Sequence, residues 1–155
     1  MRRSLKEYAL AAEIIGAIAV VISLIYVGTS VNQNTNATMV ANHHALVAMD
    51  QNTNSWFRDP EFAAIFESAM TDASTLSSVQ LRQFRTFAAD KFNAWEFAFL
   101  THNNGMMEDN IWDGWDAYYR LELEQNAHQW YWNTGREGYS PAFRTYVDSI
   151  LAEIE

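Results

Sequence analysis

The chain has 155 residues, no cysteine and a formal net charge of −9 with neutral histidines. The missing cysteine excludes disulfides and thiolate-held zinc or iron–sulfur centres. The acidity argues against a phosphate-backbone partner, so no nucleic acid is expected. The charge is also uneven. Arg2, Arg3 and Lys6 stand before an uncharged run, whereas residues 32–155 hold 7 basic and 17 acidic side chains.

That run is Ile14 to Val31, 18 residues reading IIGAIAVVISLIYVGTSV. As a helix it extends about 27 Å, close to the hydrocarbon thickness of a bilayer. It predicts one transmembrane helix over 14–31, preceded by a cytoplasmic tail over 1–13. The first basic residue after it is Arg58. The positive-inside rule therefore places the N-terminus in the cytoplasm and the remaining chain outside, in the periplasm of a bacterial inner membrane. A cleaved signal peptide fits less well, because Glu7 and Glu13 precede the apolar run and no small-x-small cleavage site follows it. Tyr8 and Tyr26 stand near the two ends, where amphipathic rings favour the interface. Glu13 reads as a boundary residue rather than a proton relay.

Ala9, Ala12, Gly16, Ala19 and Ser23 recur at spacings of three and four along this helix. Small residues let helix backbones approach closely in lipid. The seam therefore predicts helix–helix association, either between copies of the chain or with a larger membrane complex.

Residues 32–56 are polar but free of proline and glycine. Met39, Asn42, Leu46 and Met49 fall at heptad-like spacing, with Ala37, Val40, His44 and Val47 in a second row. This pattern predicts a membrane-proximal helix that pairs with copies of itself, with a polar linker as the alternative. The asparagines and threonines at 32–36 weaken the helix there.

Residues 57–155 read as an aromatic-rich, acidic helical bundle. Asp59-Pro60 is a helix start, a capping carboxylate followed by proline at the first helical position. Phe62, Ile65, Phe66 and Ala69 form the buried face of a helix ending near Met70. Ser77 to Gln80 is a capping box flanked by Leu76 and Leu81. The helix it opens runs to about His102 and stops at Asn103-Asn104-Gly105. Its Leu81, Phe84, Ala88, Trp95 and Phe99 share one face and place it at the bundle's centre. A fourth helix is expected over about 107–125 and a shorter one over 126–133. A loop at 134–138 follows, and Ser140-Pro141 opens a last helix striped by Phe143, Val147, Ile150 and Ile154. No run alternates with period two. The fold class is all-α: one transmembrane helix continuing into a long helix, then a compact bundle of about five helices.

Several parts of the chain resemble a widespread group of small bacterial single-span membrane proteins that has no assigned activity. They are EIIGAIAVVISLIY with Gln33-Asn34-Thr35, Asp59-Pro60-Glu61-Phe62, Leu76-Ser77, Ile111-Trp112-Asp113-Gly114-Trp115 and Ser140-Pro141-Ala142-Phe143-Arg144. The resemblance implies a one-span protein carrying a helical bundle. Members often carry arginines just after the span, whereas here those positions are uncharged.

Few constellations suggest chemistry. Asp109, Asp113 and Asp116 share a helix face, but calcium needs six to eight oxygens from a wrapped loop or several elements, so a solvated acidic face is expected. His43 and His44 point about 100° apart and do not readily share a metal. Met39 and His43 lie one turn apart and suit a soft ion such as copper if copies assemble around an axis, but polar helix surface is the plainer reading. Glu124 and His128 lack the second Glu-x-x-His of a di-iron carboxylate site. No phosphate loop, nucleophile elbow or HExxH occurs. No catalytic residue, metal or cofactor is assigned. Trp130, Tyr131 and Trp132 are consecutive, so at least one is expected at the surface, as part of a partner-binding patch. The sequence thus reads as a non-enzymatic accessory subunit or self-associating scaffold in a membrane assembly. A sensor holding an apolar ligand is the alternative, and a metal-dependent enzyme comes third.

Overall fold

The structure, a computed structural model, describes residues 2–154. It is all-helical, with no strand among the described residues. The elements are α1 (Arg2–Asn54), α2 (Pro60–Asp72), α3 (Ser78–Asn103), α4 (Asp109–Leu123), α5 (Asn126–Gly135) and α6 (Pro141–Ile154). Single 3-10 turns at Ser55–Arg58, Ala73–Thr75 and Arg136–Gly138 join some of them. The chain divides into two compact units, Met1–Thr38 and Met39–Glu155.

The first unit is helical throughout its described residues and holds the uncharged stretch. Among the described residues one helix is long and apolar enough to cross a membrane, and it is the one that holds this stretch. Its large apolar side chains from Ile14 to Tyr26 are 53–71 % exposed. The polar residues 32–38 stay helical, which corrects the polar-linker alternative. The Thr38 hydroxyl donates to the Asn34 carbonyl at 2.9 Å, and the Thr29 hydroxyl donates to Ile25 and Tyr26. Back-bonding to the preceding turn lets threonine sit inside a helix despite its low propensity.

The second unit is built around α3. Asp59 caps α2, its carboxylate accepting from the Glu61 N–H at 2.9 Å, with Pro60 at the first helical position. At the start of α3 the Ser77 hydroxyl accepts from the Gln80 N–H, and the Gln80 side chain accepts from the Ser77 N–H. These two local devices set the entry points of the helices. Gly105 ends the turn after α3 with φ +68°, which no side chain adopts cheaply. α4 begins at Asp109, two residues later than its apolar pattern suggests, because Glu108 is still extended (φ −70°, ψ 144°). α5 continues through Thr134 and Gly135, which the sequence places in a loop.

α3 is buried on more than the face expected. Besides Phe84, Ala88, Trp95 and Phe99, it buries Phe87, Lys91, Phe92, Ala94, Ala98 and Thr101, while Leu81 is only half-buried. Phe92 is the hub of an aromatic core. Its ring lies 5.2 Å from Trp132, 5.3 Å from Tyr131, 5.9 Å from Trp95 and 6.1 Å from Tyr139. Trp95 in turn stacks on Tyr119 at 5.5 Å and meets Phe143 edge-on. Offset and edge-to-face ring pairs add to the stabilisation that burial alone supplies.

Candidate functional site

The membrane-proximal row faces the chain's own bundle. Leu46 has no exposed surface and Met49 packs against the core. The Asn42 side-chain amide donates to the Met106 carbonyl at 3.1 Å. Leu46, expected to pair copies of the chain, is therefore already covered within it. Met39 is half-buried and lies in the same unit, beside the turn that precedes α4.

The aromatic patch is reduced to one residue. Trp132 is fully buried and Tyr131 nearly so, leaving Trp130 half-exposed beneath the Arg85 guanidinium at 5.1 Å. α5 is short and packed against α2, α3 and α4, so rings on opposite sides of it find cover. The Trp132 indole N–H donates to Asp148 at 2.8 Å, and Arg136 holds the same carboxylate at 2.8 Å. The seam residues Ala9, Ala12, Gly16, Ala19 and Ser23 are all exposed, and a Cβ placed on Gly16 would meet nothing within 4 Å.

What the structure brings together is a surface groove between α1 and α4. His43, Asp50, Asn54, Asn110, Ile111, Gly114, Trp115 and Tyr118 enclose about 450 Å³ of it. A narrower cleft of about 130 Å³ shares His43 and Ile111 and adds Met39, Val40, Met107 and Glu108. The His43 ring meets Trp115 edge-on at 6.4 Å.

Beneath the groove lies a buried cation. The Lys91 ammonium donates to Asp50 Oδ1 and Asn54 Oδ1, each at 3.2 Å, and to the Tyr118 hydroxyl. The Tyr118 hydroxyl donates onward to Asp50 at 3.2 Å. Burial disfavours the Lys91 ammonium, but Tyr118, Asp50 and Glu122 outweigh it and hold its pKa above the ordinary lysine value. Burial also raises the Tyr118 phenol. Lys91 thus has its three protons donated, and the cluster reads as an internal strut tying α1, α3 and α4 together. Sequence reasoning missed it. The available signal was position: Lys91 lies three residues after Ala88 and four before Trp95, on the apolar face itself.

His128 is the second buried titratable group. It pairs with α4 through the main chain of Glu122 rather than through Glu124. Its Nδ1–H donates to the Glu122 carbonyl at 2.8 Å, which leaves Nε2 bare and unpartnered. Its ring lies among Phe66, Phe87 and Phe92. Burial lowers its pKa to about 4. An enclosed cavity among Lys91, Trp95, Tyr119, Glu122 and His128 measures about 10 Å³, room for roughly one water.

The three aspartates do not converge. Asp109 accepts from His102 at 3.1 Å, Asp116 holds Arg120 at 2.7 Å and the Tyr146 hydroxyl, and Asp113 is exposed. Among the described residues no group of three histidine or carboxylate side chains is placed to hold a metal ion. No known protein family, curated protein or solved structure matches the chain.

Proposed function

We propose that the protein is a single-pass membrane protein of the bacterial inner membrane that serves as an accessory subunit of a membrane assembly. In this reading residues 14–31 cross the bilayer, the N-terminus is cytoplasmic and the acidic bundle lies in the periplasm. The observation that carries it is the exposure of the whole apolar stretch. Side chains from Ile14 to Val31 that the chain leaves uncovered need lipid or another helix around them. The seam from Ala9 to Ser23 supplies the helix contact, since Leu46 and Met49 are committed to the bundle. The resemblance to small single-span bacterial proteins points the same way.

A sensor that encloses an apolar ligand needs an interior chamber of several hundred cubic ångströms. The ring-lined cavity beside His128 offers about 10 Å³. A packed core favours the subunit reading over the sensor.

Blue-native electrophoresis after mild detergent extraction tests the proposal. The chain is expected to migrate well above its 17.8 kDa monomer mass. Migration as a lone monomer in every detergent would overturn association. A reporter fused to the C-terminus reads the side of the membrane, and cytoplasmic activity of the reporter would overturn the orientation.

A further inference from the structure

We propose that Met39, His43 and Met107 form a binding site for one soft monovalent cation, copper(I) being the chemical type. The three side chains line a single cleft, although Met107 is remote from the other two in sequence. Met39 and His43 stand one turn apart on α1, and Met107 comes from the turn before α4. The site is therefore complete within one chain and needs no second copy.

Three further observations bear on it. His43 Nδ1 is buried and has no hydrogen-bond partner. Met107 is only 5 % exposed, so its thioether is held against the bundle rather than in solvent. The Asn42 amide holds the neighbouring Met106 carbonyl at 3.1 Å, which fastens the Met107 turn against α1.

The donor types select the ion. Thioether sulfur is neutral and polarisable, and together with imidazole it suits copper(I). Calcium and magnesium need sets of oxygen ligands, of which the cleft lining offers one carboxylate, Glu108. Zinc prefers thiolate, imidazole and carboxylate to thioether. With no cysteine anywhere in the chain, six methionines and four histidines are its soft and borderline donors, and half of the cleft's six lining residues are drawn from them.

The test uses the full chain in detergent and silver(I), a redox-inert stand-in of the same charge and softness. One silver per chain is expected to survive gel filtration, measured by elemental analysis. Tryptophan emission should fall as silver binds, because Trp115 lies against His43. Met107→Leu and His43→Gln should each lose the retained silver while keeping the parent melting temperature, since Met→Leu conserves volume. Met70→Leu, outside the cleft, should retain it, and zinc should not be retained by the parent. Should either cleft variant fail to fold, X-ray absorption of the silver-loaded parent decides instead, with both sulfur and nitrogen neighbours expected. Sub-stoichiometric silver on the parent, silver retained unchanged by both cleft variants, or a silver shell without sulfur would each overturn the proposal.

Discussion

The two units of this chain handle apolar surface in opposite ways. In residues 4–38 the apolar side chains are mostly aliphatic, exposed and arranged all round the helix. In Met39–Glu155 they are largely aromatic and close on one another, with Trp95, Trp132, Tyr119, Phe84, Phe87 and Phe143 almost without exposed surface. Hydrophobicity alone does not separate the two, because both are rich in it. Periodicity does. A helix that is apolar on every side needs cover all round, from a protein core or from lipid, whereas one with an apolar stripe needs it on that stripe. The contrast leaves the first unit's apolar surface open, as the proposed span requires, and covers that of the second within itself.

The largest expected effect breaks the first half of that contrast. Placing aspartate at both Val21 and Leu24 costs about 5–7 kcal/mol of insertion at the centre of a span. The protein should shift from the carbonate-resistant membrane fraction into the wash, while the near-ultraviolet circular dichroism of the aromatic bundle stays unchanged. A variant that remained embedded would remove the basis for treating residues 14–31 as the anchor.

The converse variant is Phe92→Ala. It empties the hub of the ring cluster and should cost about 3–5 kcal/mol by urea titration, leaving membrane retention intact.

Lys91→Met comes next, at about 3 kcal/mol, because it strands the Asp50 carboxylate, which is only 15 % exposed. Pairing it with Asp50→Leu should recover most of that loss. A double variant no more stable than the single one would show that the cluster is not acting as an ion pair.

His128 makes the bundle sensitive to acid. Its pKa falls from 6.5 in the open chain to about 4 when folded, so the unfolded state binds more protons between those values. Stability should therefore decline as the pH drops from about 6.5 towards 4, by about 3 kcal/mol in total. His128→Gln should flatten that part of the urea-midpoint profile. Smallest is Ser77→Ala, about 1 kcal/mol from the loss of one capping acceptor.

What could be read in advance was mostly local chemistry. Asp59-Pro60, Ser77 with Gln80, and Gly105 mark boundaries through bonds or dihedrals spanning a few residues, and those boundaries hold. Part of the extra burial on α3 was not legible. Phe87 falls off the single stripe because neighbours cover α3 from more than one side, which depends on how the other helices pack, whereas Phe92, four residues after Ala88 and three before Trp95, lies on that stripe and could have been read. Lys91 defied its type, since lysine is rarely buried without a partner and its partner Asp50 lies 41 residues away. Trp130 to Trp132 were legible only in part: Trp130 stays half-exposed, as one of the three was expected to be, while the cover over both Tyr131 and Trp132 was not foreseen. Three consecutive rings cannot face one neighbour, but a short helix crowded by several has more than one covered side. The groove and its cleft were hidden too, because Met107 joins Met39 and His43 only through tertiary packing.

The Asn42 amide and the Asp50 carboxylate have a temporal consequence. They reach partners 41 to 68 residues further along the chain, at Lys91, Met106 and Tyr118. At ordinary ribosomal speeds of about 5–20 residues per second, those partners arrive roughly 2–14 s after the face that needs them. During that interval Leu46 and Met49 stand uncovered on a nascent polypeptide, so chaperone capture during synthesis would be expected at this face until those partners emerge.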